Sequence, residues 1–275
     1  MQHAGGVIFT DGDFNDATAL MKAPNGDTIT QFDLGDAEKT GLIKIDLLAI
    51  EALDKIRATL DLLIEHGHIE EKETLRETYE SAIGIYNLER DAKEMWEMAW
   101  RHEVPFLFQM DQLSGIQGIE LTKPESVDDL AVLNSIIRLM AGEKGGELPL
   151  DKYARFKKNP QLWYDEMSRA GLTKEEQELL KPHLETSYGI CEAQEKFMKI
   201  VQLPEVGGHS LLWADRLRKA VAKKNAKDYE QLEKEFFDTV EEKKLSKSLA
   251  RYVWYTLVAT SRGYGFNALS WRAQG

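Results

Sequence analysis

Gly41-Leu-Ile-Lys44-Ile-Asp46-Leu-Leu48 is a short apolar run that carries one lysine and one aspartate and opens directly into a long helical pattern. Side chains alternate along a strand, so Ile43 and Ile45 fall on one face and Leu42, Lys44 and Asp46 on the other. Two readings account for charge on such a strand. Asp46 can be the N-cap of a helix that starts at Leu47, its carboxylate accepting bonds from unpaired N–H groups, and the spacing by itself favours this. The sharper alternative is a metal-binding carboxylate at a strand end.

Working outward, residues 1–46 have strand character that the rest lacks. Gly6-Val-Ile-Phe9, Thr28-Ile-Thr-Gln-Phe32 and Leu42-Ile-Lys-Ile45 are separated by clusters of Gly, Asn, Asp and Pro. Three strands forming part of one sheet are expected, with a helical turn or two over Leu34–Thr40 closed by Gly41. So small a sheet must lean on the helices that follow or on another polypeptide. Asp11-Gly-Asp13-Phe-Asn15 opens like a calcium loop, but Asp16 stands where glycine is needed and Lys22 where a bidentate glutamate is needed. It reads as a solvated loop.

From Leu47 the pattern is helical. Leu47, Leu48, Ile50, Leu53, Ile56, Leu60, Leu63 and Ile64 recur at three- and four-residue intervals up to His66-Gly67-His68, whose histidines suit a helix C-terminus better than a metal site. Further helices are predicted over Glu70–Ile83 and Leu88–His102, the Met and Trp residues of the second being core. Val104–Asp111 reads as extended, followed by glycines at 115 and 118. Ser126 and Asp129 fit a capping box for a helix to about Met140, and Thr173 and Glu176 fit another. The pattern as a whole is α+β, mainly α: a small partial β-sheet followed by a large helical domain.

Composition narrows the classes. The 275 residues, 43% hydrophobic, are enough for an ordinary core. A net charge of -12 argues against a dedicated free-standing nucleic-acid binder, which needs clustered Lys and Arg. The single cysteine, Cys191, excludes an internal disulfide, and no run is long enough to span a bilayer, so a cytoplasmic, membrane-free protein is expected. One stretch inverts the charge balance. Of the fourteen residues Ala214–Lys227, six are basic and one is acidic. Arg216, Lys219 and Lys223 share a helix face while Leu217 and Val221 can anchor the other. Such a patch either meets an anion or is a solvated basic helix paired with acidic neighbours.

Eight segments, in order, resemble the bacterial replicative DNA polymerase III alpha subunit (C family): His3-Ala-Gly-Gly6-Val-Ile, Thr30-Gln-Phe-Asp33, Gly41-Leu-Ile-Lys-Ile-Asp46-Leu-Leu, Phe108-Gln-Met-Asp111, Lys123-Pro-Glu-Ser-Val-Asp-Asp129, Tyr188-Gly-Ile with Gln194-Glu195 and Met198, Ala214-Asp-Arg-Leu-Arg-Lys-Ala, and Gly263-Tyr-Gly-Phe-Asn267. Each alone is weak; their collinearity over nearly the whole chain is the signal. The resemblance implies the end of a nucleotidyltransferase-like palm over residues 1–48 and most of a helical fingers domain over 49–275. It implies that Asp46, with Lys44 beside it on the catalytic strand, is one of three aspartates binding two magnesium ions. The other two are expected in an Asp-x-Asp motif upstream of the point where this sequence begins, so a companion polypeptide carrying it is expected and the isolated chain should be inactive. It further implies that Arg216, Arg218, Lys219, Lys223 and Lys224 face the phosphates of an incoming deoxynucleoside triphosphate, and that His3, Gln109, Gln194, Tyr264 and Asn267 contact nucleotide or the DNA template-primer.

Departures accompany the match. Arg138 is followed by Leu-Met-Ala-Gly where the family has Arg-Pro-Gly-Pro, Gln112-Leu-Ser-Gly carries an extra residue, Ala193 replaces a tyrosine, and Ala-Leu-Ser-Trp follows Asn267 in place of Lys-Ser-His. They suit a diverged, viral or split version. The competing expectation is a non-catalytic helical module that binds nucleic acid or another replication protein.

Overall fold

Two antiparallel ribbons and a succession of helices make up the computed structural model, which describes residues 6–46, 51–84, 93–104, 107, 109–139, 147–222 and 226–261. The chain divides into two compact units, Met1–His68 and Ile69–Gly275.

In the first unit, β1 (Gly6–Phe9) pairs with β4 (Ile43–Asp46), with Gly6 opposite Asp46, Val7 opposite Ile45 and Phe9 opposite Ile43. A second ribbon joins β2 (Leu20–Lys22) to β3 (Thr28–Thr30). The single sheet expected from the sequence is therefore two separate two-stranded ribbons. The missing partner was β2, which at three residues gives too little alternation to recognise. Helix α1 (Phe14–Ala17) is capped by Asp13, whose carboxylate accepts the Asn15 N–H at 2.8 Å. Helix α2 (Leu34–Lys39) ends where expected, and α3 (Glu51–Glu65) follows β4. The N-cap reading of Asp46 turns on residues 47–50, outside the described ones.

This unit buries little apolar surface. Ala23, Ala37, Leu42 and Leu60 are its buried hydrophobic residues among those described. The alternation of β4 holds, with the Ile43 and Ile45 face turned outward: Ile43 is 63% exposed, Ile45 46%, and their cross-strand partners Phe9 and Val7 47% and 40%. On α3, Leu53, Ile56 and Leu62 are also exposed.

The second unit is helical. It runs α4 (Leu75–Ile83), α5 (Lys93–Trp100), α6 (Leu113–Thr122), α7 (Val127–Ile136), α8 (Pro149–Lys158), α9 (Gln161–Arg169), α10 (Lys174–Leu184), α11 (Gln194–Val201), α12 (Leu211–Ala222), α13 (Ala226–Glu242) and α14 (Lys247–Arg251), which continues as a π-helix over Tyr252–Val258. Capping chemistry sets several starts. Thr173 and Glu176 form a reciprocal box at α10, as the sequence predicts, and Thr74 with Glu77 forms one at α4, which therefore starts at Leu75 and not Glu70. At α7 the box is half made. Ser126 accepts the Asp129 N–H at 3.0 Å, but the Asp129 carboxylate takes the Glu125 N–H and the Lys157 ammonium instead, and the helix ends at Ile136, short of Met140.

Two features of this region were not foreseen in the sequence. Residues 113–122, which the sequence reading marked only by their glycines, are helix α6. Its glycines are contact points: a Cβ on Gly115 would lie 2.4 Å from the Gln109 carbonyl oxygen, and one on Gly118 would lie 2.7 Å from Leu133 Cδ1. Glycine is used so that the α6 backbone can approach its neighbours, at a helix-propensity cost of about 1 kcal/mol each. On α5, Trp96 and Ala99 are buried, but Met95 and Met98 are 40% and 44% exposed, so the Met residues are not core.

A large core joins α8 to α14 and the π-helix around Trp254, Phe236, Leu217, Phe197, Trp163 and Phe156, all 2% exposed or less. A second cluster unites Trp96, Met110, Ile119, Leu130 and Leu133 on α5–α7. At about 1.5–3 kcal/mol per large apolar side chain, these clusters dominate the unit's stability. Polar ties cross between helices: Lys157 to Asp129 at 2.7 Å, Lys152 to Glu166 at 2.7 Å, and the Tyr252 hydroxyl to Glu166 at 3.0 Å. No described helix is long and apolar enough to cross a membrane.

Candidate functional site

Helix α12 carries the basic cluster. Trp213, Ala214, Leu217, Ala220 and Val221 are buried and fix its inner face, as expected of Leu217 and Val221. Arg216, Arg218 and Lys219 are thereby left towards the surface, their side chains 52%, 32% and 54% exposed. Lys223 and Lys224 lie outside the described residues.

Each described cation has an acidic partner. Asp215 takes Arg218 Nε at 2.8 Å and Lys219 Nζ at 3.0 Å, while Arg216 reaches Glu235 on α13 at 3.5 Å. Arg218 also donates through Nη1 to Gln194 Oε1 at 3.4 Å, joining the first residue of α11 to α12. Burial would raise the Asp215 carboxyl, but the bonds from Arg218 and Lys219 outweigh it and hold the group below the usual carboxylate range. Glu235 is lowered too, by the bond from Gln231 first, with Trp213 Nε1 at 2.8 Å and Arg216 adding to it. An anion arriving here meets guanidinium and ammonium donors already oriented, and competes with Asp215 for them.

Of the other expected contacts, the structure joins Gln194 to Arg218 and leaves Gln109 apart on the α5–α7 side. Gln109 has a left-handed backbone, φ 62°, and a buried Oε1 with no hydrogen-bond partner among the described residues. Both are unusual for a non-glycine residue and mark a strained position. Asp46 closes β4 opposite Gly6, and Lys44, half-buried, stands opposite Ile8. His3, Tyr264 and Asn267 lie outside the described residues. Sequence reasoning overlooked Asp215 as an organiser, although its i+3 and i+4 relation to Arg218 and Lys219 is visible in the sequence. It had no means of finding Glu235, which comes from the next helix.

The donor set bears on metal binding. Among the described residues no group of three or more His, Cys, Asp or Glu side chains is arranged to hold a metal ion. A two-magnesium site needs several converging carboxylates, so the described residues do not themselves fit one.

The described residues thus include a strand that ends in an aspartate and, in the other unit, a helix whose outer face is basic. Comparison with known proteins gives the family. Residues 53–244 match the bacterial DNA polymerase III alpha subunit finger domain, and residues 1–49 match the bacterial DNA polymerase III alpha NTPase domain. The chain belongs to the bacterial DNA polymerase III alpha family. It is similar to "Probable DNA polymerase YorL" of Bacillus subtilis (strain 168) and to a DNA-directed DNA polymerase of Bacillus phage SPbeta, each 39% identical over 267 residues, 97% of this chain and 20% of the relative. It is also similar to DNA polymerase III subunit alpha of Escherichia coli (strain K12), 28% identical over 268 residues, 97% of this chain and 21% of the relative. The chain thus spans about one fifth of the length of the curated relatives it matches.

Proposed function

We propose that this chain forms part of a replicative DNA polymerase: the end of the palm, to residue 48, and the fingers from residue 49, with the basic stretch Arg216, Arg218, Lys219, Lys223 and Lys224 meeting the triphosphate of an incoming deoxynucleotide opposite a DNA template-primer. The observation that supports the reading is the order of two family matches along one chain, the NTPase-domain match over residues 1–49 first and the finger-domain match over 53–244 second. Guanidinium and ammonium groups suit that role because phosphoryl transfer is helped chiefly by positioning and charge neutralisation. In this reading Asp46 is one magnesium ligand, with Lys44 beside it. Bound magnesium would supply Lewis-acid neutralisation, and a single aspartate cannot hold two ions; in this reading the remaining carboxylates are the Asp-x-Asp pair that the family resemblance puts upstream of this segment. A companion polypeptide with an Asp-x-Asp motif is the expected source.

Primer extension tests this. With magnesium and deoxynucleotides the isolated chain should extend nothing, whereas the chain with its Asp-x-Asp companion should extend a primer and Asp46→Asn should abolish that synthesis with the far-UV circular dichroism unchanged. Extension by the isolated chain contradicts the reading.

One observation favours a second reading, a non-catalytic helical module binding nucleic acid or a replication protein: Arg216, Arg218 and Lys219 are already ion-paired in a chain of net charge -12. Activity that survives Asp46→Asn in the assembled protein would select it. Replacing Arg216, Arg218 and Lys219 together by Ala should flatten the salt dependence of DNA binding by up to about three phosphate contacts if α12 touches phosphate.

A further inference from the structure

Away from α12, a cavity of about 240 Å³ opens between α7, the C-terminal turn of α10 and the start of α11. Its wall includes Glu192, a carboxylate only 1% exposed. Glu192 Oε1 is accounted for by Lys196 Nζ at 2.8 Å, an ammonium that also donates to Thr186 Oγ1 at 3.1 Å and Ser187 Oγ at 2.7 Å. With three donors placed, Lys196 is saturated. Glu192 Oε2 is buried and has no partner among the described residues. A buried carboxylate oxygen left without a donor is costly and calls for an explanation.

The rest of the cavity states what would satisfy it. Lys199 lines the same wall and pairs with no carboxylate among the described residues. His183 stands beside it, kept low by burial and by Lys199 and Lys196, hence neutral at neutral pH. Asp128 and Glu195 also line the cavity. Three carboxylates thus face two ammoniums, which disfavours a simple anion, while Lys199, without a carboxylate partner among the described residues, disfavours a simple cation; a ligand bearing both a donor and an anionic group fits the two together. We propose that this cavity binds a small anion carrying an N–H donor, the donor on Glu192 Oε2 and the anionic group at Lys199 and His183. Two sources share that chemistry: a nucleoside monophosphate, through a base amino group and its phosphate, and an α-amino acid, through its ammonium and carboxylate.

Isothermal titration of the whole 275-residue chain tests it, with 2′-deoxycytidine 5′-monophosphate and L-glutamate as separate probes and sulfate as an anion without a donor. At least one organic probe should bind with a dissociation constant under about 1 mM, with sulfate roughly tenfold weaker. Lys199→Ala, at an exposed position, should weaken that probe about tenfold with the ligand-free melting temperature unchanged, and Glu192→Gln should weaken it as well. Which probe responds names the source. Failure of both probes at 10-fold higher concentration, or binding indifferent to Lys199→Ala and Glu192→Gln, overturns the proposal and leaves Glu192 Oε2 to an enclosed water. Loss of nucleotide binding on Arg218→Ala but not on Lys199→Ala also overturns it, because the nucleotide is then on α12.

Discussion

The two compact units differ in how much apolar side chain they bury among their described residues. Residues 69–275 bury a large aromatic core, with Trp163, Phe197, Phe236 and Trp254 almost wholly inaccessible, although Leu113, Leu211 and Leu212 stay outside. Residues 1–68 leave many outside, including the whole Val7, Phe9, Ile43, Ile45 face of the β1–β4 ribbon and three apolar positions of α3. The difference teaches where independence lies. A helical body with one large cluster and smaller ones beside it can hold its own shape, whereas a unit of two short ribbons and their helices, with four buried hydrophobic side chains among its described residues, falls short of what a free-standing sheet needs. The proposed magnesium ligand is thus on the weaker unit and the proposed phosphate-binding helix on the stronger.

The sharpest way to break this contrast is to cut one side chain from each unit. Phe236→Ala, at a position with no exposure, should cost about 4 kcal/mol in urea unfolding, while Ile43→Ser, 63% exposed, should stay within about 0.5 kcal/mol. A large loss from Ile43→Ser would mean that the ribbon face is covered after all. Next in size, Gly118→Ala should cost about 2 kcal/mol, because the added methyl meets Leu133 Cδ1 at 2.7 Å inside the α5–α7 cluster; a neutral result would show that this cluster gives way easily.

Acid should find the stronger unit through His209. Burial, with Lys243 nearby, lowers this imidazole to about 4, while its ring stacks on Trp213 at 3.9 Å. Its folded value lies below the ordinary value of about 6.5, so as pH falls the unfolded chain takes up the proton first. The stabilisation is complete above about pH 6.5 and is lost on acidification towards pH 4; for a half-buried ring it amounts to about 1–2 kcal/mol after solvent screening. His209→Phe keeps the stack and should flatten that part of the stability–pH curve. Smallest, Thr173→Ala removes one side of the α10 capping box and should cost about 1 kcal/mol in the same urea assay.

What could be read beforehand follows the range of the interactions. Strand β4 and the inner face of α12 were legible because alternation and i, i+4 spacing are local, and the Thr173 box was legible because both partners lie within four residues. Helix α6 was not, since the purpose of Gly115 and Gly118 is set by Gln109, Met110 and Leu133 pressing against them. The pairing of Arg216 with Glu235 was hidden for the same reason, as was the saturated Lys196 that leaves one Glu192 oxygen over. The sequence placed the palm–fingers boundary at residue 48; the family matches change over between 49 and 53, and the compact units divide after His68, which keeps α3 with the ribbons.

The π winding of Tyr252–Val258 bears on length. Each i→i+5 ring encloses one residue more than an α-helical ring, so this run holds slack that an ordinary helix lacks. Trimming one residue there can tighten the coil and leave Leu249 and Ala250 seated, whereas the same trim in the middle of α13 would swing everything beyond it through about 100°. This run is therefore where the loss of one residue is most readily absorbed by rewinding, provided that Trp254 itself keeps its place against Phe236.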